Sequence, residues 1–223
     1  MVKDLWPFLS RVSRRGPGVD KPGKSVNLIM PTKREIPASE GVFFITFTNY
    51  QWRPLIAICN GYDIVYNWFD YLKDQGHYIL GYVIMPNHVH VLIAFKNCNK
   101  SLNTIVGNGK RFMAYAIVSR LQAVKQDILL SELSAAVSGK EKERNKKHEI
   151  WEPSFDWKEC RNNAFILQKL NYIHDNPCRG KWSLVNAPYE YQHSSAGFYI
   201  TGQHTTYPVL NYFELGDIDL TKL

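Results

Sequence analysis

No stretch of the 223 residues approaches the roughly 18 consecutive apolar positions of a membrane span, and Met1–Arg15 lacks the apolar centre of a secretory signal. Cysteine is scarce. Cys59, Cys98, Cys160 and Cys178 form no CxxC pair, which argues against a zinc ribbon and fits a reducing, cytoplasmic setting. Internal repeats are missing, and residues 80–100 contain no Asp or Glu, so a hydrolytic site built on carboxylates has no support there. What remains is 45% apolar, 13% aromatic and 21% charged, enough for a packed core and too much for a disordered chain. The length suits one domain with appendages.

The formal net charge is +7. Residues 1–40 hold eight Lys/Arg against four Asp/Glu, residues 41–200 hold eighteen against thirteen, and residues 201–223 hold one against three. The basic excess thus lies in the head and the central region, as in chains that neutralise phosphates. A basic protein with no such partner has the same balance. Gly16, Pro17, Gly18, Pro22, Gly23, Pro31 and Pro37 mark residues 1–40 as a weakly structured basic arm. Residues 41–200 read as one domain and 201–223 as a C-terminal tail.

β-branched and aromatic residues predict a strand over Val42–Thr48, and helical spacing with Gly76 as a stop predicts a helix over Asp63–Gln75. Tyr78–Met85 and His88–Phe95 form a hairpin about Pro86-Asn87. A helix runs from a Ser101 cap to about Gln122, its first turns weakened by Gly107 and Gly109. Residues 138–149 read as a charged loop or frayed helix, Trp151–Cys160 as a short strand or hairpin, and Ala164–Asn176 as a helix capped by Arg161-Asn162-Asn163 and ended by Pro177. This order implies an α+β fold: an antiparallel sheet with helices packed on one face, ferredoxin-like or RNA-recognition-motif-like. The fold alone names no function.

Two segments carry chemistry. In Met85-Pro86-Asn87-His88-Val89-His90-Val91, strand alternation puts His88 and His90 on one face, about 7 Å apart along the backbone, where two imidazoles can converge on one metal ion. An exposed strand face accounts for the same pattern. In Phe165–Pro177, Ile166, Leu170 and Ile173 form the apolar stripe of a helix. Tyr172 lies roughly 130° from the centre of that stripe, beside Gln168 and Lys169, with Asn176 one turn later on the same side. A phenol beside a carboxamide offers a nucleophile and an oxygen ligand; plain packing is the competing account.

VIMPNHVHVLI, followed about 80 residues later by LNYIHDNPCRGKW and then by YEYQHSSAGFY, resembles the single-tyrosine transposases of the His-hydrophobe-His endonuclease superfamily. The nearest branches are the REP-associated tyrosine transposases and their insertion-sequence-200-like relatives. The resemblance spans roughly residues 41–200. It implies metal binding by His88, His90 and Asn176, with Mg²⁺ or Mn²⁺ as cofactor. It also implies that Tyr172 is the nucleophile, cutting single-stranded DNA to a 5′-phosphotyrosine and a free 3′-hydroxyl that can later reverse the step. Hairpin DNA is the implied partner, with arm 1–40 the candidate reader of flanking sequence. A homodimer and a monomer are both compatible with the branches named.

Ser194-Ser195 matches a recurrent Trp-Ser-Ser element, with Gln192-His193 where the tryptophan is usual, and Cys178 and Lys181-Trp182 also depart from the pattern. Candidate phosphate contacts are Lys110, Arg111, Arg120, Arg161, Lys169, Arg179 and Lys181, with Tyr189, Tyr191 and Phe198 as candidate stacking rings. His174 faces away from Tyr172 and reads as structural or surface. Two other classes compete: a non-catalytic single-stranded nucleic-acid-binding module of the same fold, and a domesticated transposase that cuts without moving an element.

Overall fold

The computed structural model describes residue 36, residues 38–180 and residues 182–221, so most of the basic arm and Lys181 lie outside the described residues. Four strands, β1 (Gly41–Thr48), β2 (Tyr78–Ile84), β3 (His88–Phe95) and β4 (Asp156–Glu159), pair antiparallel in the order β2-β3-β1-β4. Helices α1 (Leu55–Ile58) and α2 (Tyr62–Asp74) join β1 to β2. The segment between β3 and β4 holds α3 (Leu102–Ala123), α4 (Asp127–Ala135) and α5 (Gly139–Lys142), and α6 (Asn163–Asp175) and α7 (Ala196–Thr201) follow the sheet. The strand order and the β1-α2-β2-β3-α3-β4 succession are those of a ferredoxin-like sheet, as the sequence suggests.

Helices cover both faces of the sheet rather than one. Phe43, Ile45 and Phe47 of β1 and Val89, Val91, Ile93 and Phe95 of β3 point to α2 and α3, where they meet Trp68, Phe69, Leu72 and Ile117. The alternate residues, Phe44, Leu92 and Ala94, together with Leu80 and Val83 of β2, pack on Ile166, Leu170 and Ile173 of α6. Strands β2 and β3 are buried on both sides because both sets of alternate positions are largely apolar. A register shift between Ile79 and Gly81 is a bulge that keeps Leu80 on the α6 face.

Two glycines explain how close the layers come. A Cβ on Gly81 would collide with Leu170 of α6, and one on Gly109 of α3 would collide with the Trp68 indole of α2. Gly109, which weakens the helix on propensity alone, is therefore the contact that lets α2 and α3 approach. Helices α3 and α6 carry side-chain caps: Ser101 Oγ accepts the Thr104 N–H, and Asn162 Oδ1 accepts the Phe165 N–H at 2.9 Å. Pro177 does not end α6 abruptly, since the chain tightens into a 3₁₀ turn over Asn176–Cys178.

The segment 193–195 adds backbone pairing to the edge of β2, with Ile84 N–H donating to His193 O at 2.9 Å and Ser195 N–H to Tyr82 O at 3.0 Å. The residues set apart as a tail continue along the same edge: Leu210 N–H donates to Ile79 O at 2.9 Å, and Tyr207, Val209 and Tyr212 are buried. Among the described residues, no helix is long and apolar enough to cross a membrane.

Candidate active site

The pairing of β1 with β3 builds the site. Thr46 lies opposite His90 and Thr48 opposite His88, so Phe44, Thr46 and Thr48 share the α6 face of the sheet with the two histidines. His88 and His90 are only 6% and 5% exposed, which removes the exposed-strand account of the His-x-His pair. Their ring centroids are 4.7 Å apart, and the face of His90 stacks on Phe44 at 5.5 Å. Burial pushes the His88 imidazolium down to about 4 and that of His90 well below its usual range, so both rings are neutral at pH 7.

Two neighbours absent from the sequence-derived site orient these rings. Asn87 Nδ2 donates to Trp52 O at 3.0 Å, which turns Asn87 Oδ1 toward His88 Nδ1 at 2.7 Å. With that carbonyl accepting, Nδ1 holds the proton of the neutral ring and Nε2 presents a lone pair. Thr46 Oγ1 lies 2.6 Å from His90 Nδ1 and occupies the same position for the second ring. The available signals were the alternation of Thr46 and Thr48 with apolar β1 residues and the place of Asn87 in the hairpin turn. Neither predicts a contact without the strand register.

Helix α6 supplies the other half. His88 Nε2 and Asn176 Oδ1 are 3.2 Å apart, at the point where α6 tightens into its 3₁₀ turn. Two acceptor atoms face each other there, an arrangement relieved by a cation between them or by turning the Asn176 amide over. Two neutral imidazoles and a carboxamide oxygen form a mixed nitrogen–oxygen donor set that could hold a divalent cation, and its two nitrogens favour Mn²⁺ over Mg²⁺. No group of three or more His, Cys, Asp or Glu that could hold a metal occurs among the described residues, so a metal here depends on the amide as third protein ligand.

Tyr172 stands one turn earlier on α6, its ring centroid 5.1 Å from that of His90 and 5.8 Å from that of Phe44. The residue is 48% exposed, so a macromolecule can reach it. Partial burial raises its phenol pKa while the nearby Arg179 charge lowers it. Lys169 Nζ hangs over the same aromatic cluster, 4.9 Å from the Phe44 ring and 5.9 Å from that of Tyr172. His174 is buried, with Nε2 2.9 Å from Ser195 Oγ, and Ser195 Oγ in turn accepts the Tyr82 N–H at 2.9 Å. His174 and Ser195 therefore lock α6 to the edge of β2.

The candidate phosphate contacts divide. Lys169 and Arg179 stand by Tyr172, and Arg179 also pairs with Asp175. Arg161 pairs with Glu159 on the surface, where solvent screens the contact. Arg111 is exposed on α3, away from this cluster. Lys110 is buried and its ammonium donates to Glu152 O at 2.9 Å and Ser154 O at 3.0 Å, while Arg120 bridges α3 to α2 through Asp63 and Asn60 O. Both ties exist because α3 packs closely on its neighbours, which the linear sequence does not reveal. Tyr191 is likewise taken up in packing, its hydroxyl donating to Ile84 O at 2.9 Å, and Phe198 stacks on His204, whereas Tyr189 is exposed.

Fold and site together define a class: a ferredoxin-like sheet with a buried, oriented histidine pair beneath an accessible tyrosine on a crossing helix. Among solved structures, the chain is similar to a REP-associated tyrosine transposase bound to a REP hairpin. The match covers 87% of this chain and 98% of that one at 16% identity, with a TM-score of 0.55. At that identity the likeness is one of fold. A protein of Deinococcus radiodurans R1 described as a candidate transposase matches 66% of this chain and 97% of its own at 15% identity, with a TM-score of 0.39. No family model matches the chain, and neither does any curated protein.

Proposed function

We propose that the chain is a single-tyrosine transposase of the REP-associated type, which cuts and rejoins single-stranded, hairpin-bearing DNA. The observation that carries this reading is the meeting of Asn176 with His88 at 3.2 Å while the Tyr172 ring lies over His90 at 5.1 Å. The ferredoxin-like fold shared with a transposase solved on a REP hairpin supports it.

In this reading Tyr172 Oη attacks the phosphorus of a phosphodiester. The bond from phosphorus to the 3′ oxygen breaks, the phenolic proton is released, and the oxygen departs as a 3′-hydroxyl after taking up a proton. The 5′ phosphate stays on Tyr172, so attack by another 3′-hydroxyl restores a phosphodiester without ATP. His88, His90 and Asn176 would hold a divalent cation, which when bound would supply charge stabilisation at the scissile phosphate. Asn87 and Thr46 keep the two imidazoles turned toward that phosphate. Arg179 lowers the cost of ionising the phenol, and Lys169 adds positive charge where the pentavalent phosphorus gathers negative charge. Tyr172 sits on a rigid helix, so attack requires the DNA to bend to it, which an unpaired strand does more readily than a duplex.

The test is incubation with hairpin-bearing single-stranded oligonucleotides and Mn²⁺, followed by peptide mapping of any covalent adduct. The expected result is one adduct, on Tyr172, with none from blunt duplex and none from Tyr172→Phe, which keeps the ring and loses the attacking oxygen. An adduct on Tyr189 or Tyr191, or an active Tyr172→Phe protein, sinks the assignment.

A further inference from the structure

A groove of about 660 Å³ lies on the other side of the molecule from α6, between one stripe of α3 and the segment 141–153. It carries five lysines and arginines against three glutamates. The glutamates are engaged: Glu141 and Glu149 share Lys146, and Glu152 Oε1 accepts the Gln51 N–H at 2.7 Å. Arg111, Arg144 and Lys147 are exposed and make no ion pair among the described residues. Tyr115, 64% exposed, lines the same groove on the α3 wall. The walls are fixed in place, since Trp151 Nε1 donates to Lys110 O at 2.9 Å and the Lys110 ammonium returns to Glu152 O. Unpaired cations around an exposed ring match a nucleic-acid strand with its bases unstacked, which offers phosphates and π faces together.

The segment lining one end of this groove is hydrogen-bonded to the strand that faces His88. Glu152 N–H donates to Thr48 O at 2.9 Å, and Thr48 is the β1 residue opposite His88. Gln51, tied to the Glu152 carboxylate, and Trp52 after it both adopt left-handed backbone, with φ of 52° and 57°. Consecutive non-glycine residues in that region are strained, and such strain gathers at functional loops. Here it holds the Trp52 ring 60% exposed and 5.9 Å from the His88 ring. Burial of the indole does not explain the conformation, because the indole is not buried.

We propose that the α3 groove holds the single-stranded DNA adjoining the cleavage point, and that Trp52 is the platform on which a base stacks as the strand passes from Arg111, Tyr115, Arg144 and Lys147 to His88 and Tyr172. The proposal rests on the reading of the site given above. It assigns sequence-tolerant holding of the flank to the groove and leaves the duplex part of a hairpin to other surfaces.

The test compares a labelled hairpin carrying a single-stranded extension of about ten nucleotides with the same hairpin lacking it, by fluorescence anisotropy on the full chain. Tyr172→Phe serves as background so that no covalent step intervenes. Removing three phosphate contacts in R111A/R144A/K147A should weaken binding of the extended hairpin about ten-fold and flatten its salt slope by about two, with the bare hairpin bound as before. Trp52→Ala should weaken the extended hairpin alone by about five- to ten-fold. Iodouracil placed along the extension should photocrosslink to Trp52 and Tyr115 in the otherwise unaltered protein, a readout that needs no folding-sensitive variant. Unchanged affinity of the triple variant with crosslinks confined to other residues overturns the proposal, as does equal weakening for both hairpins. Extension-dependent binding through these residues, with no tyrosine adduct from the wild-type chain in Mn²⁺, supports the groove while sinking the reading of the site.

Discussion

The two faces of the sheet are built from the same strands and serve different ends. Toward α2 and α3, β3 presents Val89, Val91, Ile93 and Phe95, and that layer is continuous and apolar. Toward α6 it presents His88, His90, Leu92 and Ala94, and the apolar cluster extends only over the latter part of the strand. A half-polar layer adds less hydrophobic stabilisation, since each buried aliphatic side chain contributes about 1.5–3 kcal/mol and a buried imidazole has to be hydrogen-bonded to be tolerated. The α2/α3 layer holds the fold, and that lets the α6 layer carry two buried histidines. Alternation along one strand separates stability from chemistry by a single residue.

Substitutions one residue apart can break this comparison. His88→Ala with His90→Ala should cut adduct formation on the order of a thousandfold, several kcal/mol of barrier, because two of the three proposed metal ligands are lost. Ile93→Ala on the opposite face should leave the site chemistry intact in the folded fraction while costing about 2–5 kcal/mol of stability from the cavity it leaves. Urea unfolding and adduct yield, measured on both proteins, check the division. A histidine pair that proved as costly to fold as Ile93 and silent in cleavage would reverse it.

A smaller effect sharpens the picture within the polar face. Asn87→Ala removes the carbonyl that keeps the His88 proton on Nδ1, and Thr46→Val removes the hydroxyl beside His90 Nδ1. Each should weaken Mn²⁺ binding by about 10–100-fold without touching a ligand. Calorimetric titration of Mn²⁺ reads this directly. Excess Mn²⁺ should restore adduct formation by the Asn87 variant but not by the histidine variants.

Much of this organisation is legible in the sequence because it rests on local periodicity. Alternation defines β3 over His88–Phe95, and the apolar stripe of α6 leaves Tyr172 and Asn176 on a separate side. What escapes depends on contacts across the chain. Thr46 is an unremarked strand threonine until the register sets it opposite His90, and Lys110 and Arg120 read as free cations until α3 is placed against Glu152, Ser154 and Asp63. The coverage of both faces could have been read from Leu80, Val83 and Leu92, which are apolar at positions a one-sided sheet would leave polar. Helix α4 has no comparable signal, because its nine residues carry only two buried side chains, Leu130 and Leu133.

Acid stability depends on a buried histidine outside the site. His77 is 1% exposed and packs against the Phe95 ring at 5.1 Å, at the end of the apolar layer. Its Nδ1 accepts the Lys96 N–H at 3.2 Å, so a proton there would replace an acceptor with a donor facing a donor. Burial lowers its pKa to about 4, against an ordinary value of 6.5. Between those values the unfolded chain binds a proton that the folded chain refuses, so stability falls as pH drops through the window. Above the window both states are neutral, and below it both are charged, so the change is confined to it. From pH 7 to pH 5 the loss from this one group is about 2 kcal/mol. His77→Asn keeps an acceptor near the Lys96 N–H and cannot take up the proton. Urea unfolding at the two pH values should therefore show the variant losing less stability than the wild type by about that amount. Equal losses in the two proteins would mean that His77 is protonated in the folded chain, and that this end of the apolar layer is open to water.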